Sequence, residues 1–289
     1  MIYGFPKLEQ LLYFIRERHH IWKRRFHLKQ DGPPWTKDPI LLVYKFTNVY
    51  RELDRVTLWI NAHWRTPYKN EKHLWFAMVV ARLVNNTDTL AELSLPGRWN
   101  RAQFLKVMAR RKAEGLKRFG GAYIVSTGGR AMDKSEYLAD YVLDPMWENR
   151  AMLCPVRHES LANYHRMLMK FDGMGSFMAA QIVADMKYVQ PLKNAKDFWT
   201  FASSGPGSRK GMSYVMGMSP RTKWREDEWH ESLSELHALV NPYIARWRFP
   251  RLHAQDLQNC LCEFSKYSRT GAGTGRPKAK FTPYGGYDA

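Results

Sequence analysis

Cysteine is scarce in this chain of 289 residues: Cys154, Cys260 and Cys262 are the only three. Three thiols cannot make a disulfide framework or a four-cysteine iron–sulfur cluster. Cys260 and Cys262 stand two apart in a helical pattern and point away from each other, so all three read as small core residues. The ten histidines show no metal-ligand spacing, and neither a metal nor another cofactor is expected. Long apolar runs are missing too, since none approaches the roughly 20 residues that a membrane span needs. The opening MIYGFPKLEQ lacks the basic-then-apolar layout of a signal peptide. The expectation is a soluble, intracellular monomer with no membrane partner. No Gly-x4-Gly-Lys-Ser/Thr loop occurs anywhere, so nothing recognisable cradles ATP. Alternation long enough for a sheet is absent as well, which leaves helices.

Acid is outnumbered. Asp and Glu total 27 against 45 Lys and Arg, a formal charge of +18. That excess favours a polyanionic partner, with nucleic acid ahead of an anionic membrane because no strongly amphipathic membrane helix stands out. A merely basic, soluble enzyme is the bland alternative. Hydrophobic residues make up 45%, enough for a globular domain or two lobes sharing a core. Helical periodicity predicts an all-α protein, with helices near 6–29, 38–63, 71–86, 99–114, 133–150, 158–171, 175–188, 207–217, 227–247 and 252–268. GGAYIVSTGG (120–129) reads as a short strand or extended loop. The expected organisation is a basic helical extension over 1–37, carrying His19, His20, Lys23, Arg24 and Arg25. A catalytic domain follows over 38–269, then a flexible basic tail over 270–289, rich in Gly and Pro.

LMKFDGMGSFMAAQIVADM (168–186) breaks a helical pattern at Gly173 and Gly175. Apolar, Gly, apolar, Gly and then a helix with Ala179 and Ala180 is the pattern of a helix-hairpin-helix, expected over 161–188. Glycine permits positive φ and close approach by another surface. The free N–H groups that open the second helix, from Ser176 onward, suit a phosphate oxygen. The alternative is a plain helical hairpin with a tight turn.

Three further stretches mix charge with apolar spacing. In YKFTNVYRELDRVTLW (44–59), Leu42, Phe46, Val49, Leu53, Val56 and Ile60 would form one helical stripe. Asn48, Arg51, Glu52, Arg55 and Trp59 would line another face, as a solvated surface or a pocket wall. In SSGPGSRKGM (203–212), Gly205, Gly207 and Ser208 place N–H groups around a concavity, and Arg209 and Lys210 add charge. That suits a phosphate or pyrophosphate, with a capped basic turn as the alternative. In LHAQDLQNCLCEFSKYSR (252–269), Leu257, Leu261 and Phe264 point to the core, while Asp256, Asn259, Glu263 and Lys266 form a polar stripe. Glu263, between Cys262 and Phe264, should be partly buried and in need of a partner. It is either a general base or one half of an ion pair with Arg51 or Arg55. Either way the first and third motifs should be neighbours.

The chain order resembles the helix-hairpin-helix DNA glycosylase superfamily, and this implies two helical lobes with a cleft between them. FAMVVARLVNNTDTLAEL (76–93) looks like its wedge-bearing helix, with Asn85, Asn86 and Thr87 at the turn. The lysine nucleophile of bifunctional members is replaced by Phe177, and their aspartate is matched by Asp197 in NAKDFWTF. The three motifs together resemble a phage and bacterial family that acts on hypermodified thymine in DNA. It is variously labelled α-glutamyl/putrescinyl thymine pyrophosphorylase, amino acid:DNA transferase, or the helical domain of 5-hydroxymethyluracil DNA kinase. The resemblance implies an enzyme at work in the host cytoplasm on double-stranded DNA containing modified thymine. It would flip the base and displace phosphate or pyrophosphate from 5-phosphomethyl-deoxyuridine with a free amino acid, glycine being the first candidate.

In that scheme Ser208, Arg209 and Lys210 neutralise the leaving phosphate. Glu52, Glu263 or Asp197 takes the amine proton, and Arg51 or Arg55 binds the incoming carboxylate. Asn48, Asp256, Asn259, Lys266 and Tyr267 line the site, and Asn85, Asn86, Gly173, Gly175 and Ser176 contact DNA. Glu52, Asp197, Arg209 and Glu263 should then share one cavity. A DNA glycosylase, a DNA kinase and a non-catalytic DNA-binding module are the rival classes.

Overall fold

The computed structural model describes residues 4–29, 32–122, 125–157, 159–277 and 279–281. Among them the regular elements are all helical, with no strand beyond an isolated bridge between Tyr44 and Lys280. In chain order the α-helices are α1 (Leu8–Trp22), α2 (Pro39–Val43), α3 (Arg55–Ile60), α4 (Leu74–Val84), α5 (Thr87–Leu93), α6 (Arg101–Ala113) and α7 (Lys134–Tyr137). There follow α8 (Asp144–Glu148), α9 (Arg150–Leu153), α10 (Leu161–Leu168), α11 (Ser176–Met186), α12 (Pro206–Val215), α13 (Glu226–Arg246) and α14 (Ala254–Gly271). The chain divides into two compact units, one built from Met1–Asp54 with Trp199–Asp288, the other from Arg55–Phe198.

In the first unit, α1 does not stand apart as an extension. Leu11, Phe14 and Ile15 are wholly buried, in one core with Leu233, Leu236 and Val240 of α13 and Leu257, Leu261 and Phe264 of α14. Helices α12 and α14 meet so closely that side chains are excluded between them. A β-carbon on Gly211 would lie 2.0 Å from the Leu261 carbonyl oxygen, and one on Gly207 would lie 2.3 Å from Cys262 Sγ. The expected flexible tail is corrected in two ways. Helix α14 runs on to Gly271, and the chain returns so that Lys45 N donates to Ala279 O (3.0 Å) and Phe281 N to Val43 O (2.9 Å). Phe281 packs edge-on to Trp35. Residues 282–289 lie outside the described residues.

The continuous helix expected over 38–63 is also corrected. Helix α2 ends at Val43, Tyr44 is extended, and a single 3-10 turn occupies Arg51–Leu53 before α3 begins. Backbone groups that a helix would pair internally go to partners elsewhere in the unit.

In the second unit, every residue of α4 from Leu74 to Val84 is buried. Its one charge, Arg82, grips Asp185 of α11 with two hydrogen bonds, Nε–Oδ2 at 2.5 Å and Nη2–Oδ1 at 2.6 Å, and also donates to Thr57 Oγ1 (3.0 Å). Asp185 is fully buried, with Arg65 a further 3.8 Å away. A two-pronged bond of this kind fixes orientation as well as distance, and it ties α11 to α4. Helices α10 and α11 pack on each other, joined by the turn over 169–175. Gly173 takes φ +72°, and a β-carbon there would meet Val142 Cγ2 at 2.9 Å. Gly175 opens α11 in open space, and His165 Nε2 sits 2.8 Å from the Ser176 carbonyl oxygen. The stretch 120–129 is a loop over its described residues.

Candidate active site

In the first unit, α14 and the segment from Phe46 to Asp54 face each other through polar groups. Thr47 N donates to Glu263 Oε2 (3.4 Å) and Arg51 N to Asp256 Oδ1 (3.1 Å). Asn259 Nδ2 donates to Thr47 Oγ1 (3.1 Å) and Asn48 O (3.2 Å). The stripe Asp256–Asn259–Glu263 thus reads the backbone of the first motif residue by residue, and the two motifs are neighbours as their chemistry predicts. From the other side Arg18 of α1 reaches in. Its guanidinium donates to Phe46 O (3.1 and 3.0 Å) and to Asn48 Oδ1 (2.8 Å). Asn48 then passes the contact on, donating from Nδ2 to Leu53 O (2.9 Å) and Asp54 Oδ1 (3.0 Å). These tertiary bonds explain why the segment is not helical: its carbonyl and amide groups are claimed from outside, which overrides local propensity.

The electrostatics are those of a desolvated cluster. Burial lowers the Arg18 pKa to about 10, opposed by the charges of Asp54 and Glu263. Burial also raises Asp54, against the pull of the Asn48 hydrogen bonds and Arg18. Glu263 is 4% exposed and accepts from Lys266 Nζ at 2.6 Å. Burial pulls the Lys266 ammonium down, but the charge and hydrogen bond of Glu263 outweigh it, and the net displacement is upward. The partner of Glu263 is therefore Lys266, in place of the Arg51 or Arg55 pairing considered from sequence. Glu52 is more open than Glu263, its side chain 29% exposed and 3.9 Å from the Arg51 guanidinium.

Other expected site residues are placed differently. Ser208 is fully buried, and its hydroxyl closes the first turn of α12, accepting from Gly205 N (3.0 Å) and donating to Gly205 O (3.1 Å). It is a cap and does not line a concavity. Arg209 turns to Glu226 of α13, to Ser204 Oγ and to Trp224 O (2.9 Å), so its charge is spent on joining α12 to α13. With Gly207 and Gly211 serving the contact with α14, the phosphate cradle expected at this motif reduces to Lys210, which is exposed. Tyr267 donates to Asp38 Oδ2 (2.6 Å) and packs on Phe14 and Phe264, a structural post.

Arg55 and Asp197 belong to the second unit. Arg55 is exposed at the start of α3. The Asp197 carboxylate accepts from Leu161 N (2.8 Å) and Ala162 N (2.9 Å), where it satisfies the opening amides of α10. Asn85 and Thr87, expected at a duplex-facing turn, are buried; Asn85 adopts φ +49° to end α4, and Asn86 Oδ1 caps α5 through Thr89 N (2.9 Å). A β-carbon on Gly120 would lie 2.1 Å from Asn85 O, so a loop covers that turn.

Sequence reasoning passed over Arg18, Asp54 and the Arg82–Asp185 pair. The last had a legible signal: a single charge in each of two otherwise apolar helix faces, FAMVVARLV and SFMAAQIVADM. An open groove of about 650 Å³ in the second unit is lined by Arg98, Trp99, Asn100, Arg101, Asp144 and Trp147, none of them from the three motifs. Among the described residues no group of His, Cys, Asp and Glu is arranged to hold a metal ion, and no helix is long and apolar enough to cross a membrane.

Comparison with known proteins adds the following. A curated protein of Bacillus phage SP10, named "5-hmdU DNA kinase", is 29% identical over 289 residues, covering 89% of this chain and 44% of that protein. The chain therefore spans less than half the length of that relative. No solved structure matches it. Residues 6–275, which take in all three motifs, match the family model described as "5-hmdU DNA kinase, helical domain", and to that family the chain belongs.

Proposed function

We propose that this protein acts on DNA at the 5-substituent of a modified uracil, and that it joins an amine to 5-phosphomethyl-deoxyuridine with loss of phosphate. The observation that carries the reading is the polar seam between α14 and the segment Phe46–Asp54, built from two of the three motifs and lying wholly inside the family match. The family's printed description supplies the substrate class, a 5-hydroxymethyl-deoxyuridine base in DNA. The excess of positive charge suits the polyanion, and the hairpin at Gly173–Ser176 supplies a backbone grip on it.

The methylene of the phosphomethyl base is attached to the pyrimidine ring and is already electrophilic. The C–O bond to phosphate breaks, its electron pair leaves with the phosphate, and a C–N bond forms. The amine gives up a proton to a carboxylate. Glu52, the more open of the two candidates, takes that role. Glu263 holds Lys266 and the Thr47 amide in place, Arg51 receives the carboxylate of an incoming amino acid, and the exposed Lys210 with Lys266 offsets the charge of the departing phosphate.

The test is to incubate the chain with phosphomethyl-containing duplex DNA and the common amino acids and polyamines, then digest and analyse nucleosides by mass spectrometry. An aminated nucleoside is expected, glycine being the first amine to try. Absence of any aminated product across the set overturns the proposal. The name of the phage relative favours a second reading, phosphate transfer to the hydroxymethyl group. A phosphorylated nucleoside formed from ATP in the same digest would decide for it.

A further inference from the structure

The hairpin turn in the second unit lies beside a basic side chain, Arg130. A β-carbon on Gly173 would approach Val142 Cγ2 at 2.9 Å and Val125 Cγ1 at 3.8 Å, so the turn is pressed against the π-helical stretch Leu138–Leu143 and the loop that contains Val125. Gly128 and Gly129 carry this loop through φ +64° and +81°, a conformation that costs glycine little. Thr127 Oγ1 donates to Arg130 O (3.0 Å), and Gly128 N donates to Ser126 Oγ (3.1 Å). The loop thus delivers Arg130 in a set position. Its guanidinium lies 4.3 Å from the centre of the Tyr141 ring and 5.5 Å from that of Tyr137, and the two rings stack on each other. Across from it, at 3.9 Å, is Asp172 of the hairpin turn; the two side chains are 41% and 61% exposed.

We propose that Arg130, shelved on Tyr141 beside the hairpin turn, binds a backbone phosphate of DNA, and that Asp172 occupies its guanidinium until the phosphate arrives. This inference rests on the DNA reading above. A pair at 3.9 Å between exposed groups is worth little, under about 1 kcal/mol, so exchanging it for phosphate is cheap. A guanidinium set over a ring and tied through Nη1 to Thr127 O (3.4 Å) turns its other N–H groups to phosphate oxygens with little further loss of freedom. Gly175, two residues beyond Gly173, is exposed with open space around it, so a strand lying along Arg130 also has access to the hairpin backbone.

The alternative is a staple that only fastens the loop to the turn, and the two accounts predict different signs. A staple is weakened by removing either partner. A phosphate site is weakened by losing Arg130 and strengthened by losing Asp172, a like charge to the ligand.

The experiment measures binding of the full chain to a fixed-length DNA duplex across a salt series. Arg130→Gln should weaken binding several-fold at low salt and reduce the slope of log K against log salt by about 0.9. Arg130→Lys should keep the slope while losing part of the affinity. Asp172→Asn should bind more tightly than the parent. Arg225→Gln, which removes the same charge from an exposed position before α13, should leave the slope alone. Should Arg130→Gln fail to fold, the Lys and Asp172→Asn variants still decide. The inference is overturned if the parent binds but Arg130→Gln keeps its slope, if Asp172→Asn weakens binding, or if Arg225→Gln lowers the slope equally. A parent chain that does not bind duplex DNA overturns the DNA reading itself.

Discussion

Arg18 shows how much one side chain can organise. It spans α1 to the Phe46–Asp54 segment, and Asn48 relays its grip to Asp54. Replacing it with methionine leaves Phe46 O and Asn48 Oδ1 without this donor and removes the cation that most favours the charged form of Asp54. The expected cost is about 3 kcal/mol, read as a shift in the urea midpoint. Lysine should recover only part of this, because it lacks the fork that reaches two acceptors. Its neighbour His19 makes a separate prediction. The ring is 4% exposed between Trp22, Tyr50 and Phe249, and burial first, then Lys23, lowers its pKa from 6.5 to about 4. The unfolded chain therefore takes up a proton at higher pH than the folded one. The stabilisation is complete above pH 6.5 and is lost as pH falls towards 4, to a total of about 3 kcal/mol. His19→Phe should flatten the stability profile in that window, and an unchanged profile would contradict the assignment. Neither residue was legible in the sequence. Both sit in a run of basic residues where every charge looks like solvated surface, and only tertiary neighbours set Arg18 and His19 apart.

At the level of elements, periodicity found the helices that bury their own stripes and missed where outside bonds intervene. Helix α14 follows its pattern, with Leu257, Leu261 and Phe264 inside and Asp256, Asn259 and Glu263 on one face. The same arithmetic held from Arg55 onward, in α3, and failed over 44–54, where α14 and Arg18 take amides and carbonyls of the segment. Gly205, Gly207 and Ser208 looked like a phosphate loop, yet Gly207, with Gly211 four residues on, lets two helices touch. That second use predicts an ordering. Gly211→Ala meets a main-chain carbonyl and should cost about 3 kcal/mol, while Gly207→Ala meets the end of the Cys262 side chain, which can rotate away, and should cost less. Equal costs in urea titration would contradict the packing account. Asp197 tests cap against catalyst. Asp197→Asn should lower stability by about 1 kcal/mol by weakening the start of α10 and leave the rate of nucleoside modification unchanged, whereas loss of turnover without loss of stability would restore it as a base.

For the whole molecule, helical periodicity indicated the all-helical class that the described residues show, and the motifs indicated the family. Sequence did not reveal that α1 belongs to the core of the first unit, or that the chain comes back at Ala279–Phe281 to lie on Val43–Lys45, because a single bridge leaves no periodic trace. The account centres on one reaction, in which an amine replaces phosphate on a DNA base. Its most direct test is a mass balance in a single incubation with labelled phosphomethyl DNA, comparing inorganic phosphate released with amine incorporated. The account predicts one phosphate for each new C–N bond, with both signals lost together in Glu52→Gln. Phosphate retained on the DNA, or released without amine gained, would contradict it.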